Sequence, residues 1–132
     1  MKRTRISSGA PWEKVVGYSR AIKSGPFVFV SGTTATDSEG KIVGPEDPYA
    51  QTVQTIENIG RALEQAGGSL EDVVRTRIFV RRIADFDEIA RAHARFFSEI
   101  RPAATLVEVS GFVSDEMLVE IEADAVLGTG VD

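Results

Sequence analysis

The sequence predicts an α+β domain in which two helices cover one face of a mixed sheet. Three observations carry that expectation. Two stretches show helical periodicity between cap and breaker residues, period-two stretches surround them, and the element order reads β-β-(β)-α-β-α-β-β. At 132 residues, 42% apolar and 27% charged, the chain has the length and balance of one globular core, so a single domain over 1–132 is expected.

Taken in order, KVVGYSRAIKSGPFVFVSG predicts two strands joined at Lys23-Ser24-Gly25-Pro26, where Gly and Pro supply the turn. In the second of them Val28 and Val30 face one side, with Phe27, Phe29 and Ser31 on the other. DSEGKIVG reads as a hairpin or short loop. A helix then opens with Asp47 as N-cap and Pro48 at its first position, and ends at Gly67-Gly68. Its apolar face is Val53, Ile56, Gly60 and Leu63.

DVVRTRIFVRR alternates as a half-buried strand, with Val74, Thr76, Ile78 and Val80 opposite Arg75, Arg77, Phe79 and Arg81. The second helix shows a capping-box pattern at Asp85 and Glu88. Phe86, Ile89, Ala90, His93, Phe96 or Phe97 and Ile100 form its face, and Pro102 ends it. Two final strands, about 104–109 and 118–127, are joined by GFVSDE. Val119, Ile121, Ala123 and Ala125 face the helices, leaving Glu120, Glu122 and Asp124 opposite. The same alternation puts Ala104, Leu106 and Glu108 with the acidic array, and Thr105, Val107 and Val109 inward. A face mixing these acids with Arg75, Arg77, Arg81, Phe79 and Leu106 is expected to pack against another subunit, a solvated surface being the plainer alternative.

Composition removes several function classes. A net charge of −5 disfavours a general nucleic-acid binder, which needs excess cations to displace counterions. With no cysteine there is no disulfide, thiolate nucleophile or Cys-ligated metal, and the single histidine, His93, allows no multi-His metal site in one chain. The start MKRTRISSGAPWEK is basic without an apolar h-region, and no run approaches a membrane span, so a cytoplasmic location is expected. SGTTATDSEG lacks the glycine spacing and lysine of a phosphate loop, and no cofactor is implied.

The constellations that remain are modest. Glu120 and Glu122 share a strand face, where paired carboxylates divide acid and base roles if their environments separate their pKa values; cross-strand pairing with the arginines is the plainer account. Ser31 with Thr33, Thr34 and Thr36 offers hydroxyls without a positioned base, because His93 lies among apolar residues and reads as a packed, hydrogen-bonded side chain. Arg101, just before Pro102, reads as the solvated end of the second helix.

Beyond this the chain resembles the Rid proteins, the reactive intermediate deaminases also called the YjgF-type or liver perchloric-acid-soluble protein family. The likeness spans nearly the whole sequence: GYSRAI, FVSGTT, QTVQTIENIGRALEQAGGSLEDVVRTRIFV, DFDEIARAHARFF, PAATLVEV and LVEIEA. It implies a chorismate-mutase-like fold and a homotrimer with small-molecule clefts between subunits. There, active members hydrolyse enamines or imines without metal or organic cofactor. By that resemblance Glu120 is the catalytic, water-positioning carboxylate, Tyr18 and Gly32 face the ligand, and a backbone carbonyl at Leu106 lines the cleft. Ala104 departs from the pattern: active imine deaminases carry an arginine there, directly after Pro-Ala. Ala90 and His93 replace a common Asn and Tyr. Arg20, two residues beyond Tyr18, is the expected substitute cation, Arg101 a weaker one, and Trp12 a candidate pocket wall. The functional expectation is a trimeric small-molecule site, a hydrolase or deaminase of reactive metabolites. The alternative is a non-enzymatic metabolite- or partner-binding member, and an endoribonuclease ranks last.

Overall fold

The computed structural model describes residues 2–129. A six-stranded mixed sheet is formed by β1 (Arg3–Ile6), β2 (Ala21–Ser24), β3 (Phe27–Thr33), β4 (Val73–Val80), β5 (Ala103–Glu108) and β6 (Val119–Val126). The spatial order is β1-β2-β3-β6-β4-β5, antiparallel except for the β4–β5 pair. Two helices, α1 (Pro48–Gln65) and α2 (Phe86–Phe97), pack on one face. Ile56, Ile59 and Leu63 from α1 and Ile89 and Phe97 from α2 meet Val28, Val30, Ile78, Val80, Val119 and Ile121 from the sheet in one core. Among the described residues no helix is long and apolar enough to cross a membrane.

Both ends of α1 form as their residues dictate. The Asp47 carboxylate accepts the Ala50 N–H at 3.0 Å, a cap of about 1 kcal/mol. At the other end Gly67 adopts φ 91 and Gly68 N–H reaches the Leu63 carbonyl at 2.8 Å, closing the last turn in the left-handed conformation that glycine tolerates. Between β2 and β3, Gly25 at φ 60 and Pro26 make the two-residue hairpin turn. On β6 the alternation is unbroken, with Val119, Ile121, Ala123 and Ala125 buried.

Four expectations are corrected. The first strand does not start near Lys14: Glu13–Gly17 coils into a single π-helical turn, leaving only Ala21–Ser24 in the ladder. β-branched Val15 and Val16 suggested a strand there, but the turn leaves them 76% and 68% exposed and burial contributes nothing to their conformation. The sheet instead gains β1, whose Arg-Thr-Arg sequence hides a short edge strand behind charge. On β4 a register shift between Val73 and Arg75 buries Val73 and leaves Val74 exposed. The Asp85 capping box does not form; a 3-10 turn over Ile83–Asp85 leads into α2, and Asp85 meets Arg82 at 3.5 Å.

The fourth correction bears on function. β5 runs parallel to β4 with Thr76 opposite Ala104, Ile78 opposite Leu106 and Val80 opposite Glu108. Paired residues share a face, so Ala104, Leu106 and Glu108 lie on the helix side, and Leu106 packs against the core. Thr105 and Val107 take the outer face beside Arg77 and Phe79. The alternation around Val107 suggested the reverse, because an edge strand has too little cover for hydrophobicity to report its orientation.

Candidate functional site

The site begins at an irregularity in β3. Val30 pairs with Ala123 but Thr33 with Ile121, so one extra residue is accommodated at Ser31–Gly32. Local hydrogen bonds hold this bulge. The Ser31 hydroxyl donates to the Ser19 carbonyl at 2.7 Å, Ser31 N–H donates to the Arg20 carbonyl at 3.0 Å, and the Thr33 hydroxyl donates to the Ser31 carbonyl at 2.7 Å. Ser31 is thus a structural hydroxyl. Just beyond, Asn58 of α1 donates to the Thr34 and Thr36 carbonyls at 3.0 and 2.9 Å, tying the strand's exit to the helix layer.

Gly32 exists because a carboxylate occupies the space of its side chain. A Cβ built there would stand 2.1 Å from Glu120 Oε2. Glu120 projects from β6 on the outer face and lies along the Gly32 backbone. From the other side Arg20 donates from NH2 to the Gly32 carbonyl at 2.8 Å, and its guanidinium sits 5.5 Å from the centre of the Tyr18 ring. Arg20 makes no ion pair among the described residues, and its Nε is buried without a hydrogen-bond partner. Four of the expected residues, Tyr18, Arg20, Gly32 and Glu120, therefore converge within one chain.

Burial raises the Glu120 pKa above the ordinary carboxylate range; the Arg20 charge pulls it back and neighbouring Glu122 pushes it up again. Glu122 itself, with Asp124, is occupied by Arg77 at 3.2 and 3.1 Å. The pair is thus split: Glu122 is ion-paired across the strands, while Glu120 makes no ion pair among the described residues.

The remaining candidates stand apart from this cluster. Ala104 and Leu106 lie on the helix side of the far edge strand, two strands from β6. Trp12 heads the π-helical turn and is 58% exposed, turned to solvent in the single chain. Arg101 adopts φ 53, its N–H capping the Phe97 carbonyl at 2.8 Å while its side chain stays exposed. His93 pairs with the Thr76 hydroxyl at 3.0 Å beside Phe97, a packed role, and burial lowers its pKa. Among the described residues no three potential metal ligands gather.

One participant went unnoticed in the sequence. Glu13 is only 6% exposed and its carboxylate accepts from the Ser7 hydroxyl at 2.8 Å, Ser8 N–H at 3.1 Å and the Ser8 hydroxyl at 2.5 Å. Two serines ahead of a glutamate, with Gly and Pro between, was the available signal.

A six-stranded mixed sheet backed by two helices is the α+β fold that this chain shares with its relatives of known structure. The family model described as Endoribonuclease L-PSP matches residues 9–127, and the chain belongs to that family, which includes the YjgF, RutC and Rid proteins. A YjgF-family protein of Mycobacterium tuberculosis, of known structure, is 46% identical with a TM-score of 0.88, covering 96% of this chain and 100% of that one. The 3-aminoacrylate deaminase RutC of Acinetobacter baylyi is 40% identical over 124 residues, 94% of this chain and 97% of the relative. A RutC family protein of Pyrococcus horikoshii is 39% identical over 126 residues, 95% and 98% of the two chains.

Proposed function

We propose that the chain is a cofactor-independent hydrolase of small enamines or imines bearing a carboxylate, working in clefts between subunits of a homotrimer. The observation that carries the reading is the Glu120 carboxylate held against Gly32, with Arg20 unpaired beside it. In the reaction an enamine takes a proton on carbon and gives one up from nitrogen to become the imine, and a water oxygen then adds to the C=N carbon. Glu120 holds that water, accepts its proton as the C–O bond forms and returns it to the nitrogen. The hydroxyl of the resulting carbinolamine then passes its proton through the same carboxylate to the nitrogen as the C–N bond breaks, so ammonia departs and a carbonyl remains. A carboxylate with a raised pKa suits both halves of that exchange.

Arg20 is the substrate-carboxylate anchor in this reading. One of its N–H groups is engaged by the Gly32 carbonyl, and its Nε lies buried without a hydrogen-bond partner. The relative from Acinetobacter baylyi is a deaminase of 3-aminoacrylate, an enamine carrying a carboxylate, which supports the same substrate class. Ala104 and Leu106 belong, in this arrangement, to the edge strand of a neighbouring copy, where they line the far wall of the cleft, and Trp12 closes its mouth.

Ala104 favours a second reading, a metabolite-binding member without turnover. The two separate in one assay: 3-aminoacrylate or 2-iminobutanoate is generated in situ, and release of the oxo acid is timed with and without the protein. Hydrolysis requires acceleration, reduced about 10²-fold or more in Glu120→Gln. Saturable binding of 2-oxobutanoate with no acceleration of either substrate leaves the binding reading alone.

A further inference from the structure

We propose that Glu13 is a positioning residue for this site: with Ser7 and Ser8 it latches the turn that presents Tyr18 and Arg20 to the Glu120–Gly32 face. The inference rests on the proposed site and adds how its cation and aromatic ring are held. Residues 14–17 are all exposed, so hydrophobic burial does not set the conformation of the turn. Glu13 is the buried residue within it, and it ties both ends. Its side chain collects three hydrogen bonds from Ser7 and Ser8, at the exit of β1, and its carbonyl accepts the Tyr18 N–H at 2.9 Å.

Tyr18 and Arg20 follow directly. They stack on one another, and Arg20 reaches the Gly32 carbonyl. The Arg20 charge also acts on Glu13 as well as on Glu120, so the guanidinium sits in the field of two carboxylates and is ion-paired to neither. Burial works against the charged form of Glu13, yet the bonds from Ser8 and Ser7 and the Arg20 charge hold its pKa below the ordinary value. The latch is therefore a charge-assisted one, and it closes with an ionised carboxylate. Without it the start of the turn keeps only the Glu13 N–H bond to the Ala10 carbonyl at 3.2 Å, and the register of Tyr18 and Arg20 over Gly32 loosens. A small displacement of a substrate anchor has a large kinetic consequence.

The test compares Glu13→Gln and the double variant Ser7→Ala/Ser8→Ala with wild type, in the full-length chain. Trp12, the chain's single tryptophan, adjoins Glu13 and reports the turn through its fluorescence anisotropy. The Arg20 Nε–H resonance, assigned by its loss in Arg20→Lys, reports the guanidinium. Both variants are expected to lower the anisotropy and to move or broaden the Arg20 resonance. They are also expected to weaken 2-oxobutanoate binding and raise KM about tenfold, the scale of one charge-assisted hydrogen bond. In an Arg20→Ala background, Glu13→Gln should add nothing, because Glu13 acts through Arg20.

Unchanged anisotropy and Arg20 resonance in the variants overturn the proposal. So does an equal loss of binding with and without Arg20, which is what a merely structural glutamate would produce. If Glu13→Gln fails to fold, the serine variant decides, since both serines are exposed. A wild-type protein that neither binds nor turns over these ligands defeats the functional reading; the latch is then judged by the resonance and the anisotropy alone.

Discussion

Replacing Gly32 with alanine tests the site through a single carbon atom. The added Cβ would stand 2.1 Å from Glu120 Oε2 and 3.1 Å from its Cδ, whereas ordinary contact begins at 3.4 Å, so the carboxylate must retreat by about 1.3 Å. A displacement of about 1 Å at a catalytic group costs about 10²-fold in rate. Folding should hardly notice. Gly32 is not in the left-handed region, so alanine brings no backbone strain, and losing glycine's unfolded-state freedom contributes about 0.4–1 kcal/mol in favour of folding. The atom in the way is the end of a flexible side chain. The expected result is kcat/KM down about 10²-fold with Tm within about 4 °C of wild type, read by in situ imine hydrolysis and calorimetry. Adding Glu120→Asp, one methylene shorter, should recover part of the loss. Activity within about threefold of wild type at unchanged Tm would mean that Glu120 does not act from where it lies.

Arg20 lowers the pKa of Glu120, so Arg20→Ala should raise KM and move the acidic limb of the pH–rate profile to higher pH; a limb that stays put would contradict that coupling. Ala104→Arg added to Arg20→Ala should restore part of the lost binding by returning a cation to the edge strand, and no recovery would count against a shared cleft. Burial holds the folded-state pKa of His93 below the ordinary imidazole value of about 6.5, so the unfolded chain protonates first as pH falls. Stability should decline below about pH 6.5 in wild type, and His93→Gln should flatten that part of the denaturation profile; an identical slope in both would refute it. Gel filtration should give a trimer, and a monomer's volume would remove a site built from two copies. Mixing Arg20→Ala and Glu120→Gln subunits should rebuild no activity, because both groups serve Gly32 of the same chain; recovery in mixed oligomers would place them in different half-sites.

Much of the fold is legible in the sequence. Asp47-Pro48 and Gly67-Gly68 bracket α1 because capping chemistry is local, and β6 declares both its faces because a central strand is covered on one side along its whole length. Position 32 and position 120 were marked by resemblance, but the reason they belong together, a carboxylate filling the space of an absent side chain, lies in a strand bulge that alternation does not reveal. Where side-chain hydrogen bonds override propensity, the reading failed: Val15 and Val16 look like a strand, but the neighbouring Glu13 pulls the chain into a turn. Where cover is thin it failed too. β5 is an edge strand of mostly exposed residues, and only its register with β4 shows that Leu106 turns inward.

That corrected face changes what the alanine at position 104 means. With Ala104 and Leu106 on the helix side of an edge strand and Glu120 on the opposite face of β6, the residues that the family resemblance groups together do not meet within one chain. A cation on β5 would serve the acid of a neighbouring copy, whereas Arg20 serves the acid of its own, through the same glycine. With the positive charge on the stretch before β2 instead of the edge strand, the proposed anchor and acid stand on one chain. On the outer face Phe27, Phe29 and Val107 stand exposed around the Arg77–Glu122–Asp124 cluster, an apolar surface in which these three charges are paired with one another. Packing such a face against further copies spares those three charges an unpaired desolvation, whereas Arg75 and Glu120, which make no ion pair among the described residues, would need partners across the interface. In the proposed trimer the neighbour would contribute shape and backbone at Leu106, and its residue at position 104 would set the room beside the substrate rather than the charge that holds it.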